Sequence, residues 1–497
     1  MRRGWANIAI AAVLTVTAVA VLMAGRTPRG AEAATTLYVT SSADSGAGTL
    51  RAAITSANSD SSVNLIVLKN WLPVTLFTSV EYTGTQALTI QGDQPLVYRT
   101  IQGSLTVPGD PNSEPLDCGM FKSTGGADIT FSQVTIQNSW CDALNIVPVV
   151  GDSEITITFN KVNLRNNFGS GMFLHEIEAA EATVRLNVTS SQVVGNGRCR
   201  GSMGCAFGGI ELQGLGEGEV VVQLAGTWFN GNGGDGMSIG WDAPEVTTLP
   251  SPALDVDISV TASNTTFNDN GGTVTYAAAL GEGSRGRAST ASHQGGEGLG
   301  VFGSGLGTGD VTLALTNVQA NRNGGSGIRV FRGSDIDVGD VRFTANTLTA
   351  SNNGGAGIQL EDEGDGDVIV SLTLVSAWFN QGPGVDERES GEGGVDLEAR
   401  NSSVGFNHLD GFRLEESGDG DFSARFNGTV VSGNAGDGLD MEEHDSGAAS
   451  AAVQSSSIFG NGESAIEFEA HDEFGTISIG VSFIVGGVDL DHVNQLF

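Results

Sequence analysis

An Asn-x-x-x-Gly-apolar segment recurs along this chain at a period that few folds can accommodate. It starts at Asn167, Asn232, Asn323, Asn353, Asn380, Asn407 and Asn434, and again at Asn461 with Ala in place of Gly. The last five copies are spaced by 27 residues, and the step from Asn323 to Asn353 is 30. Copies at Asn196 and Asn270 are interrupted by inserts, which brings the total to about ten. A repeat of this length stacks on copies of itself, because one unit cannot bury its own apolar face.

The pattern inside each unit selects strands. "EITITFNKV" from Glu154, "DVTLALTNV" from Asp310 and "DVIVSLTL" from Asp367 alternate apolar and polar residues. A period of two means half-buried strands, whereas helical repeats need a period near 3.6. Each unit holds about three short strands separated by Gly, Asn and Asp turns. The expected fold is all-β, a right-handed parallel β-helix of about a dozen coils. The residue after the repeat Gly forms an inward apolar column (Ile358, Val385, Phe412, Leu439, Ile466), and a second lies two residues on (Leu360, Glu387, Leu414, Met441, Phe468). Glu387 alone breaks the second column, which marks either a loosened coil or a carboxylate held for a purpose. The repeated Asn is expected to bond its amide to the next copy in a ladder.

The chain divides into four parts. Residues 1–33 carry Arg2 and Arg3, an apolar run from Ile8 to Ala24 and an Ala31-x-Ala33 site, the pattern of a cleaved signal peptide. The same run is about long enough to span a bilayer as an anchor, but the small residues favour cleavage. Residues 34–60 form an N-terminal cap of strand and helix. In "SGAGTLRAAITSAN", Leu50, Ala53, Ile54 and Ala57 share one helical face that can cover the raw edge of the first coil. Residues 61–475 form the coils, with an insert at 272–296, and 476–497 a C-terminal coil and cap.

The whole chain has 23 basic and 58 acidic residues, a net charge of −35. Without residues 1–33 it keeps 19 basic and 57 acidic residues, a charge of −38. Such a field disfavours nucleic acid and anionic membranes and attracts cations. No membrane insertion is expected after signal cleavage, and the expected state is a secreted, extracellular or cell-surface monomer. Four cysteines in an exported chain suggest disulfides. Cys199 and Cys205 enclose five residues and are the expected pair, which leaves Cys118 with Cys141.

The segment "SSADSGAGTLRAAITSAN" closely resembles the opening cap of secreted bacterial right-handed parallel β-helix proteins, in which an Asp-Ser-Gly-x-Gly-Ser-Leu-Arg-x-Ala-Ile element precedes the coils. Asp44, Gly46, Gly48, Leu50, Arg51, Ala53 and Ile54 match, with Thr49 where Ser is usual. The coils resemble those of the pectate-lyase-like superfamily. That resemblance covers most of the chain from Leu37 on, and it is specific for fold rather than activity.

Residues between the inward columns point outward, about 4.8 Å from their neighbours one coil away. Arg413 falls between Asp386 and Asp440, and Arg388 between Glu361 and Glu415, as cross-coil ion pairs. Asp440, Glu442, Glu467 and Glu469 place four carboxylates on two adjacent coils with no base among them. Oxygen-only clusters suit Ca²⁺. The resemblance implies a Ca²⁺-dependent polysaccharide lyase with Arg413 as base, or a glycoside hydrolase with Asp410 and Asp437 as paired carboxylates. Glu387 is a further catalytic candidate. Phe302 and Phe331, with Trp241 nearby, can form a platform for a polysaccharide or cell-surface glycan. Acidic residues follow the strand in nearly every coil, however, and a feature spread over all copies reads as architecture. The leading expectation is therefore a protein without catalysis, whose acidic faces bind cations, glycans or surfaces.

Overall fold

A computed structural model describes residues 35–69, 71–103, 119–147, 154–174, 183–197, 208–213, 218–240, 256–271, 296–304, 309–333, 338–445, 447–470, 475–480, 482–491 and 493–496. Residues 1–33, where a signal peptide is expected, and Cys118, Cys199, Cys205, Trp241 and most of the 272–296 insert lie outside these residues. Each coil runs through three strands, as in Val395–Arg400, Ser403–Gly405 and Phe412–Glu416. Each of these pairs in parallel with its counterpart one coil away, so the strands build three faces of a parallel β-helix. Among the described residues the first face runs from Thr35–Val39 to Val493–Leu496 and stacks sixteen strands. Residues from Gly475 on continue the same columns.

Alternation along each strand sends one set of side chains into a single continuous core that runs from Val39 to Ile477. Each large aliphatic or aromatic side chain fully buried there contributes about 1.5–3 kcal/mol. The pairing register puts Leu360, Glu387, Leu414, Met441 and Phe468 in one file, as their spacing implies. The coil at Glu387 is not loosened. Its strand, Val385–Glu389, keeps full register with both neighbours, and Glu387 is 0 % exposed.

The Asn ladder is continuous. The side-chain amide of Asn167 donates to Asn196, and the chain continues through Asn232, Asn270, Asn323, Asn353, Asn380, Asn407 and Asn434 to Asn461, at 2.7–3.1 Å. Each acceptor oxygen also takes the backbone N–H of the Asn one coil earlier. The ladder therefore satisfies polar groups that the corner would otherwise bury unpaired. The left-handed backbone that Asn tolerates belongs to the residue before it. Asn352, Phe379, Phe406 and Gly433 have φ of 59°, 60°, 51° and 70°.

The cap is a helix, α1 (Leu50–Ser59), whose N-cap Thr49 accepts a hydrogen bond from the Ala52 N–H. Leu50, Ala53, Ile54 and Ala57 are buried against the first strands. Arg51 donates to Asp44 at 2.6 Å and to the Ser79 and Thr78 carbonyls, which ties the helix to the first coils. Gly48, at φ +72°, passes so close to Thr40 that a Cβ would lie 2.7 Å from its hydroxyl. No helix among the described residues is long and apolar enough to cross a membrane.

Candidate functional site

The third face carries the unusual side chains. Its outward file runs in register through Glu211, Ser238, Gly300, Arg329, Gln359, Asp386, Arg413, Asp440, Glu467 and Asp489. A second file holds Phe302, Phe331, Glu361, Arg388, Glu415, Glu442, Glu469 and Asp491. The spacing of the repeat placed these residues as neighbours, and they are neighbours.

In the middle of the face the charges compensate. Arg413 donates through Nε and one terminal nitrogen to both oxygens of Asp386, each at 2.9 Å. Arg388 lies 3.7 Å from Glu361, 3.7 Å from Glu415 and 3.3 Å from Asp386. Burial works to lower the Arg413 pKa, but its bonds to Asp386 and the surrounding carboxylates outweigh it and hold the value above the ordinary one. A guanidinium clamped in this way is a poor proton acceptor, which weighs against Arg413 as the base of a lyase.

Beyond Arg413 both files hold only carboxylates: Asp440, Glu442, Glu467, Glu469, Asp489 and Asp491 follow one another on three successive coils. Burial, and then Glu442 and the neighbouring Asp410, Asp437 and Glu467, push Asp440 up to about 8. Burial and Asp437 likewise raise Glu467. Beside them His444 Nε2 lies 2.9 Å from Glu442 and 3.8 Å from Glu415.

Asp410 and Asp437, a rung apart, have a structural occupation. Asp410 accepts the Asp437 backbone N–H at 2.8 Å, and Asp437 accepts that of Ser464. Asp142 and Asp235 repeat the arrangement toward Ser170 and Glu297.

The other half of the face departs from expectation. Phe302 points away from the core yet is only 2 % exposed, with its ring over Gly300 and the Arg329 guanidinium 5.5 Å from its centre. Arg329 also reaches the Phe331 ring at 5.7 Å. Phe302 is thus covered, while Phe331 is half-buried. Next to it is an unrepeated polar set that sequence spacing did not single out. Glu211 is buried and accepts from Ser170 Oγ at 2.7 Å and from the Gly208 N–H. Burial pushes Glu211 up to about 7 against those two bonds, with the Asp235 charge adding to the rise. Glu297 is buried too, and burial plus Asp235 hold it well above the usual carboxylate range despite Arg329 at 3.8 Å.

A second missed feature lies inside. Arg332, Asp362, Glu389, Glu416 and Glu443 occupy the fifth position of the third strand and are fully buried. Arg332 pairs with Asp362 at 3.2 Å. Burial, with neighbouring carboxylates adding, raises Glu389 and Glu416 above their ordinary range. Parity was the available signal, because these residues share the odd positions of the apolar columns. Runs such as "LEDEGD" instead read as uniformly solvated.

No family model matches the chain, and no curated protein matches it. Among solved structures, the crystal structure of tailspike protein 3 of bacteriophage CBA120 is similar, with a TM-score of 0.38 and 10 % sequence identity over 98 % of this chain and 68 % of that one.

Proposed function

We propose that the protein is a secreted or surface-displayed β-helix that acts without catalysis, binding divalent cations, and through them glycans or neighbouring surfaces, on the exposed end of its third face. One observation carries this reading: six carboxylates stack in two adjacent outward files on three successive coils. An ion midway between oxygens one coil apart, at ~4.8 Å, lies ~2.4 Å from each, within the Ca²⁺–oxygen range. Asp440, Glu442, Glu467 and Glu469 are the residues that would hold it. In this reading the segment 1–33 directs export, and Cys118–Cys141 and Cys199–Cys205 bridge corners of the early coils. Calorimetric titration with Ca²⁺ tests it. Binding should be lost in the Asp440→Asn, Glu467→Gln double variant. A wild-type protein that takes up no Ca²⁺ removes the reading.

A second reading, glycoside hydrolysis, is favoured by Glu211 alone. A carboxyl with a pKa near 7 is suited to general-acid work, and its surroundings do not recur in other coils. Release of reducing sugar from a polysaccharide panel, abolished by Glu211→Gln, would put hydrolysis ahead of binding.

A further inference from the structure

We propose that Glu415, Glu442 and His444 form a site for a transition-metal ion of the zinc type on the outer surface of the third face. Glu415 and Glu442 are register partners on adjacent coils, and His444 follows the strand Leu439–Glu443. The His444 backbone N–H still bonds to the Glu416 carbonyl one coil away, so its side chain lies two residues on from Glu442 and on the same side. One donor atom from each residue lies within 4.8 Å of the other two.

The spacings suit a small ion. Zinc binds imidazole nitrogen and carboxylate oxygen at ~2.0–2.2 Å in tetrahedral geometry, which sets two ligand atoms ~3.4 Å apart. The measured pairs, 2.9 Å from His444 Nε2 to Glu442 and 3.8 Å to Glu415, fall on either side of that value. Both lie within about half an ångström of it, and the third pair, between the two carboxylates, lies within 4.8 Å. The nitrogen donor sets the site apart from the oxygen-only files beyond it, because imidazole suits zinc and not Ca²⁺.

A second arrangement supports it. The two oxygens of Glu415 are divided between partners: Oε2 faces Arg388 at 3.7 Å, while Oε1 faces His444. Arg388 is itself held by Asp386. Outer partners of this kind orient a ligand oxygen toward its metal. The three side chains are 36, 32 and 33 % exposed, so a hydrated ion can reach them, and a fourth position stays open to water or a partner's donor.

The zinc site shares Glu442 with the candidate calcium set, but Glu415 and His444 lie outside that set and zinc binding does not require Ca²⁺. Its test is titration of the full chain with ZnCl₂, with CaCl₂ titrated separately. The wild type should take up one zinc ion per chain. His444→Ala and Glu415→Gln should each weaken that binding at least tenfold, with unchanged circular dichroism and unchanged Ca²⁺ response. A wild type that binds no zinc overturns the proposal, as does His444→Ala binding zinc as well as the wild type. Zinc binding in a protein that ignores Ca²⁺ would leave the proposal standing and remove the calcium reading.

Discussion

Glu387 lies in file with Leu414 inside the core, one coil away, and neither of its carboxyl oxygens has a hydrogen-bond partner. Burial, reinforced by the Asp396 charge, holds its pKa well above the ordinary range, so it carries its proton in the folded protein. Glu387→Leu should restore the apolar column and stabilise the protein by about 1–3 kcal/mol in urea denaturation, the cost of an unpaired buried polar group. A destabilised Leu variant would mean that the carboxyl has a partner or a task.

The Asn ladder predicts a large loss from a small change. Asn407→Ala removes the acceptor of both the Asn380 amide and the Asn380 backbone N–H, and the donor to the Ala377 carbonyl. Two buried donors left unpaired should cost about 3 kcal/mol, read as a lower denaturation midpoint. Asn407→Asp keeps the acceptor oxygen but sets a buried carboxylate against the Ala377 carbonyl and the Asn434 amide oxygen, and should lose at least as much.

Arg413 should matter for stability and not for turnover. Arg413→Gln removes the two shorter of the four charged hydrogen bonds to the buried Asp386 carboxylate, leaving those from Arg388, and should cost about 2 kcal/mol, a figure reduced because Arg413 is partly exposed. The Asp386→Asn, Arg413→Gln double variant should recover most of that. A double variant as unstable as the single one would show that the pair is not the cause.

Stability should fall as pH rises. Glu211 titrates near 4.5 in the unfolded chain and near 7 in the folded one. Below about pH 4.5 both states hold the proton and the contribution is fully present. Between about 4.5 and 7 the unfolded chain releases a proton that the folded chain keeps, so stability is lost across that window. Glu387, held well above its ordinary range by burial, contributes a loss of the same sign as pH rises. The melting temperature should be higher at pH 5 than at pH 8, and Glu211→Gln should flatten the slope between them.

The coil, the ladder and both outward files were legible because they depend on sequence separation alone. Once Asn380, Asn407 and Asn434 stack, Asp386, Arg413 and Asp440 must stack as well. Direction in and out was legible where residue type agreed with parity, as at Leu360 and Leu414. It failed at Glu389, Glu416 and Glu443, where carboxylates occupy inward positions, and at Phe302, an outward residue that is covered. His444 did carry a periodic signal, since His471 lies one 27-residue period on, but spacing alone did not pair its ring with Glu442 and Glu415.

Asn270 and Asn323 are 53 residues apart in sequence, yet their side chains meet at 3.1 Å, the same distance as between Asn353 and Asn380, which are 27 apart. The height gained per coil is thus independent of how much peptide leaves and re-enters at a corner. The ladder behaves as a ruler with fixed gradations, onto which foreign loops of arbitrary length could be grafted between marks without stretching the scale.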